Sequence, residues 1–145
     1  MRSDRSYDFE MSPESAWAAL SRVPDYPSWW PWLRTFDGEL LERGQVWTCR
    51  VQPPLPYSVR FELIIDEVIP MRSVRASLAG DIVGSAAIAI EQRPSGCHVG
   101  LTAELAPATW LLRTLSTAAR PIARFGHDWV LDRAGRQFIA GAPTP

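Results

Sequence analysis

Lysine is absent from this chain of 145 residues, and all fifteen of its basic side chains are arginines. The absence of lysine excludes every catalytic mechanism that uses a lysine Schiff base. Cysteine and histidine are scarce, with two of each, and Cys49 and Cys97 lie far apart with no CxxC spacing. This scarcity argues against a zinc site, and we expect no bound metal.

Sequence motifs for nucleotide binding and hydrolysis are missing as well. The chain has no G-x-S-x-G elbow, no P-loop, no G-x-G-x-x-G and no H-E-x-x-H. These absences argue against nucleotide use and metallohydrolase chemistry, and no cofactor is expected.

Charge and hydrophobic runs are modest. A formal charge of -1 gives no electrostatic basis for binding nucleic acid or an anionic membrane. No window approaches eighteen uninterrupted apolar residues, and the first eleven residues hold no signal-peptide core. We therefore expect a cytoplasmic protein with reduced thiols and no stable membrane insertion, as a monomer or homodimer. The length predicts a single domain over residues 1–145, with a disordered tail at about 141–145.

What the chain does have is tryptophan. The stretch "VPDYPSWWPWLRTF", residues 23–36, places Trp29, Trp30 and Trp32 within four positions, among three prolines. The prolines allow no more than one or two short helical turns. Because a tryptophan buries on the order of 200 Å² only when something covers it, the partner of this stretch is the first pointer to function.

The remaining sequence reads as strands between two helices. Strands end at turn signals such as "ERG", "PPLP" and "RPSG", and short connections favour an antiparallel meander. A first helix begins at Pro13 behind the N-cap Ser12 and runs to about residue 22. A closing helix runs from 108 to about 140, and Pro121 is expected to kink it or split it near its middle. The predicted strands span residues 5–11, 36–42, 45–52, 57–69, 73–79, 82–92 and 97–105.

The strands alternate between an apolar and a polar side. Val59, Phe61 and Leu63 share one side, and Arg60 and Glu62 lie mainly on the other. The closing helix is the predicted cover of the apolar side. The strand at 82–92 is rich in small residues, which leave room for a cavity floor and also allow a helix to approach closely.

Two segments resemble the START-like (SRPBCC) superfamily of polyketide cyclases/dehydrases and lipid-transport proteins. They are "PESAWAALSRVPDYPSWWPW" and "IIDEVIPMRSVRASLAGD". The resemblance implies an α+β helix-grip (START-like/Bet v 1-like) fold. In that fold a curved antiparallel sheet of about seven strands wraps around a long C-terminal helix, and two short helices follow the first strand. It also implies a cavity for hydrophobic molecules between sheet and helix.

The function expected from this cavity is binding of a small hydrophobic molecule such as a lipid, a polyketide or another ring-containing ligand. Aromatic residues on the covered face are more often core than ligand contacts, so packing remains the alternative role for each of them. The predicted lining comprises Trp29, Trp30, Trp32, Trp47, Phe61, Ser85, Ile88, Leu101, Ile122, Phe125 and Trp129.

Two other functions remain open. A cyclase or dehydratase would use the same cavity with acid/base residues, for which His127 with Asp128, or Tyr57, are the candidates. An interaction module would instead expose the tryptophan stretch to a partner surface. Arginines on the strands are expected to face solvent, with the alternative that one holds a ligand carboxylate or phenolate. They are Arg50, Arg60 and Arg75.

Overall fold

A computed structural model describes residues 2–54, 58–108 and 128–135. These residues form one antiparallel sheet of seven strands, in the spatial order β1-β7-β6-β5-β4-β3-β2. Each strand from β2 to β7 pairs with the next, and β1 pairs with β7, so the predicted meander is confirmed. The strands are β1 (Arg2–Phe9), β2 (Leu33–Asp37), β3 (Val46–Val51), β4 (Val59–Ile69), β5 (Ser73–Gly80), β6 (Ile82–Arg93) and β7 (Gly96–Pro107).

Two strands lie closer to the N-terminus than the sequence predicted. β1 begins at Arg2, not at residue 5, because its whole length pairs with β7. β2 ends at Asp37, although a strand was predicted to run to residue 42. Its Phe36 pairs with Cys49 on β3, and Leu40 beyond it is exposed and outside the ladder. The turn signal "ERG" was therefore a wrong guide to where this strand ends.

Two short helices follow β1, as predicted. Helix α1 (Pro13–Leu20) has Ser12 as its N-cap, and the Ser12 hydroxyl accepts the Ser15 backbone N–H at 3.1 Å. This satisfies one of the free donors at the helix start, and Pro13 fits a position where no donor is needed. A 3-10 turn (Val23–Asp25) and helix α2 (Tyr26–Trp29) then carry the first part of the tryptophan stretch.

The sheet has a covered face and an open one. Cross-strand pairing places Cys49, Phe61 and Gly80 on the same face, and Ile88 and Leu101 continue it across β6 and β7. Because side chains alternate along each strand, the intervening residues face the other way. We call the first face concave and the second convex, since the sheet curls into a half-barrel.

Glycine permits part of this curl. Gly84 on β6 has φ +148, and a Cβ built there would lie 1.9 Å from the Glu104 carbonyl oxygen of β7. Only a residue without a side chain allows the two backbones to approach so closely. An irregularity in the pairing of β4 with β5, between Ile65 and Glu67, interrupts the regular ladder at that point.

Residues 128–135 form a helical segment that rests on the concave face. It lies within the predicted closing helix, whose residues 109–127 and 136–140 are outside the described part, as is the tail at 141–145. Ala108, the predicted start of that helix, is not helical, because its N–H donates to the Asp81 carbonyl at 2.8 Å. Of the residues described, none belongs to a helix long and apolar enough to cross a membrane.

Candidate functional site

The centre of the concave face is an apolar surface that is only partly closed. Phe61, Leu63, Ile88 and Leu101 project from four strand positions on this face and remain half-buried. Beside them, Ile65 is 1% exposed. The face is therefore packed tightly in one part and accessible in another, and the accessible part carries apolar side chains.

An aromatic cluster closes one end of this face. Tyr26 lies at its centre, with ring centroids 4.9 Å from Trp30, 5.6 Å from Phe36 and 5.6 Å from Trp47. Offset and edge-to-face rings at such distances attract each other beyond simple burial. The Tyr26 hydroxyl donates to the Leu20 carbonyl at 2.5 Å, and burial raises the pKa of its phenol. The cluster joins α1 and α2 to β2 and β3.

The three clustered tryptophans differ in exposure. Trp29 and Trp32 are each 8% exposed and belong to the core, and Trp30 is half-buried. The indole N–H of Trp30 donates to the Ala134 carbonyl in the C-terminal helical segment, at 3.0 Å. This bond places the tryptophan stretch beside that segment. Of the three tryptophans, Trp30 is the one that retains accessible surface.

Polar groups on β1 fasten the other side of the helical segment. The Arg5 guanidinium contacts Asp128 at 2.7 Å and Asp132 at 3.3 Å. The Tyr7 hydroxyl donates to the Leu131 carbonyl at 2.6 Å. Burial raises the pKa of Tyr7, the Asp132 carboxylate adds to the rise, and the Arg5 cation opposes it. At neutral pH the phenol is therefore protonated and can donate this hydrogen bond.

The two cysteines are buried free thiols. Burial raises the pKa of Cys49 on the concave face to about 12. The pKa of Cys97 is also raised, by burial first and then by the carboxylate of Asp8. Because the thiolate is the nucleophile and both thiols are protonated at neutral pH, neither cysteine is activated for covalent catalysis.

The predicted lining residues fall into three groups. Trp29, Trp32 and Trp47 are buried, with the Trp47 indole donating to the Leu40 carbonyl at 3.0 Å. Half-buried residues offer accessible apolar surface, and they are Trp30, Phe61, Ile88, Leu101 and Trp129. Four predicted site residues lie outside the described part of the chain: Tyr57, Ile122, Phe125 and His127.

Ser85 requires a correction. It is exposed and pairs with Ser77 and Glu104 on the convex face, so it does not line the space between sheet and helix. The small residues of β6 occupy both faces, and only Gly84 and Ala86 lie on the concave one. The small residues of β6 predicted open space next to this strand. Which of them point into that space is decided by the pairing register.

Asp128, the acid/base candidate within the described residues, is half-buried and accepts a hydrogen bond from Arg5. Apart from the alternation of β1, no sequence pattern pointed to Arg5 and Tyr7, because their partners lie more than 120 residues away. Arg60 and Arg75 are exposed, as expected, and Arg50 is half-buried on the same convex face. Within 2–54, 58–108 and 128–135, no three His, Cys, Asp or Glu side chains are grouped to hold a metal ion.

Comparison with known proteins identifies the fold. No family model matches the chain, and no curated protein matches it. Solved structures do. The Zhui aromatase/cyclase from a Streptomyces species superposes with a TM-score of 0.80 at 12% identity, over 98% of this chain and 93% of that one.

Two further structures agree. A protein from Chromobacterium violaceum gives a TM-score of 0.68 at 13% identity, covering 97% of this chain and 96% of that one. A Staphylococcus aureus protein of unknown function gives 0.67 at 11% identity, covering 97% and 94%. The chain therefore has the START-like helix-grip fold, and that expectation is confirmed.

Proposed function

We propose that this protein binds a small hydrophobic molecule between the concave face of the sheet and the C-terminal helix. One observation carries the proposal: the accessible part of the concave face is apolar, with Phe61, Leu63, Ile88 and Leu101 half-buried. When a ligand covers apolar surface that is accessible inside a curled sheet, the free energy of binding becomes more favourable by about 25 cal/mol for each Å² covered. The ring of Phe61 also offers a stacking or edge contact to a ring-containing guest.

The helix-grip fold of the solved relatives supports this proposal, since the fold places a helix opposite this face. The ligand class expected from the sequence was a lipid, a polyketide or another ring-shaped apolar molecule. The half-buried Trp30 and Trp129 extend the aromatic part of the lining and favour a ring-containing molecule within that class.

A cyclase or dehydratase acting in the same space is the alternative. Its support is the aromatase/cyclase among the superposed structures. In this chain Asp128 is held by Arg5 at 2.7 Å, and Asp132 shares the same cation. A carboxylate that holds the helix on the sheet is poorly placed to exchange protons with a substrate. We therefore favour binding without turnover.

Native mass spectrometry of the purified protein, followed by denaturing extraction, is the first test. We expect a near-stoichiometric apolar molecule to co-purify, or a fluorescent apolar probe to bind with saturation. Incubation of the extracted molecule with fresh protein then separates the two functions, because a cyclase or dehydratase changes its mass or absorption spectrum and a carrier does not.

The pleat of β6 supplies a matched pair of variants. Ile88→Trp fills the concave face, and Ala89→Trp adds the same bulk to the exposed face one residue further along. We expect Ile88→Trp to weaken ligand or probe binding by at least about tenfold, with no more than about a twofold change for Ala89→Trp. Equal binding by the two variants would refute the placement of the ligand.

A further inference from the structure

The convex face of the sheet carries two arginines directly opposite each other. Arg50 on β3 is the cross-strand partner of Arg60 on β4. Like charges at directly opposed positions of neighbouring strands repel each other and destabilise the pair. An anion bound between the two guanidinium groups would remove that repulsion.

Neither guanidinium has an ion-pair partner among the residues described, although two carboxylates are near. Asp81 accepts the backbone N–H of Arg60 at 2.9 Å, and its carboxylate makes no ion pair with the Arg60 side chain. Glu62 likewise forms no ion pair with either arginine within the described residues. The Arg50 Nε–H is shielded from solvent and has no hydrogen-bond partner there. A shielded N–H without an acceptor costs free energy, so the Arg50 side chain gains stability when it turns this group toward an acceptor.

A depression of about 460 Å³ surrounds the pair. The depression is open to solvent, so a ligand held there remains partly exposed. The lining side chains on this face offer hydroxyl groups, methyl groups and charges, and they belong to Thr35, Thr48, Arg50, Arg60, Glu62, Ala79 and Asp81.

We propose that this depression, the outer arginine site, binds a small molecule through a single carboxylate or phosphate group held between Arg50 and Arg60. The planar fork of a guanidinium matches the oxygens of both groups and forms paired charge-assisted hydrogen bonds with them. Glu62 and Asp81 at the same depression repel a second negative charge, so the site selects a ligand with one oxyanion. The methyl groups of Thr35 and Thr48 contact the body of that ligand.

The outer arginine site lies on the opposite face of the sheet from the proposed hydrophobic cavity. The two proposals are therefore independent, and each can be tested without the other. Loss of anion binding would leave the concave face unaffected.

The test is a titration of ¹⁵N-labelled protein with benzoate and, separately, with inorganic phosphate at low ionic strength. We expect saturable shifts of amide signals in β3 and β4. Arg50→Gln and Arg60→Gln are expected to weaken binding by about tenfold each, since each loses a charge-assisted hydrogen bond. Arg75→Gln is the matched control, because Arg75 is exposed on the same face and outside the depression. We expect it to change the affinity by no more than about twofold.

Tighter binding of benzoate assigns a carboxylate ligand, and tighter binding of phosphate assigns a phosphate ligand. Either outcome supports the site. Absence of saturable shifts with both anions up to about 50 mM would overturn it, as would an equal loss of affinity in Arg75→Gln. If Arg50→Gln does not fold, Arg60→Lys keeps the charge without the fork, and it is expected to bind several-fold more weakly than the natural chain.

Discussion

Arg5 offers a quantitative test of how the C-terminal helical segment is held on the sheet. Its guanidinium contacts Asp128 at 2.7 Å and Asp132 at 3.3 Å. The side chains of Arg5 and Asp128 are 25% and 33% exposed, and that of Asp132 is 58% exposed. Because water weakens the attraction between charges, the better shielded and shorter contact with Asp128 should contribute more to stability.

The magnitude follows from this partial burial. Exposed ion pairs contribute about 0.2–1 kcal/mol, and hydrogen bonds to charged groups about 1.5–3 kcal/mol where water is excluded. Arg5 with Asp128 lies between these cases, so we expect a coupling energy of about 1 kcal/mol. For Arg5 with Asp132 we expect about 0.3 kcal/mol, close to that of a surface pair.

Urea unfolding measures both couplings. One double-mutant cycle uses Arg5→Gln with Asp128→Asn, and the matched cycle replaces Asp128→Asn by Asp132→Asn. In 1 M salt the Asp132 coupling is expected to vanish first, because it is the more exposed. A coupling with Asp128 no larger than that with Asp132 would refute the argument that shielding sets the strength of this contact.

Three further tests address other parts of the fold. Trp30→Phe removes the indole donor to the helical segment and keeps an aromatic ring, so it should lower the free energy of unfolding by about 1–2 kcal/mol in urea melts. Gly84→Ala forces a Cβ against the Glu104 carbonyl at a positive φ and should cost at least about 2 kcal/mol by the same assay. Gly100→Ala enters open space and should change stability by less than about 1 kcal/mol; similar costs for the two would contradict the close approach. Cys49 should react with iodoacetamide at pH 8 at least about a hundredfold more slowly in the native chain than in urea, read by mass spectrometry. Because folding raises its pKa from 9.0 to about 12, the stability contributed by the neutral thiol is complete below pH 9 and is lost as pH rises toward 12.

The sequence was a good guide to the order of elements. Turn residues separate the strands, and the N-cap Ser12 with Pro13 at the first helical position marks the start of α1, so seven strands and this helix follow from local chemistry. Strand ends were less predictable. β2 was placed too late because its end was taken from the turn signal "ERG", and only the pairing with β3, which ends at Asp37 and Thr48, shows where the ladder stops.

Site residues could be predicted only in strands whose apolar and polar residues alternate regularly. Phe61 and Leu101 were assigned to the covered face because each sits in a regular apolar alternation. Ser85 was misplaced because small residues give no such contrast between faces. Arg5 and Tyr7 were missed because their partners lie in a helix 123 and 124 residues further along the chain, a separation that no local pattern bridges.

The clustered tryptophans pack together at one end of the concave face. An exposed interaction patch would leave their rings in solvent, yet Trp29 and Trp32 are each 8% exposed and Trp30 is half-buried against its neighbours. Prolines break the chain into short turns, and those turns let successive rings pack toward Tyr26 and toward the helical segment at once. Trp30 both donates to that segment and keeps accessible surface, so it links the packed end of the face to the helix without being fully enclosed.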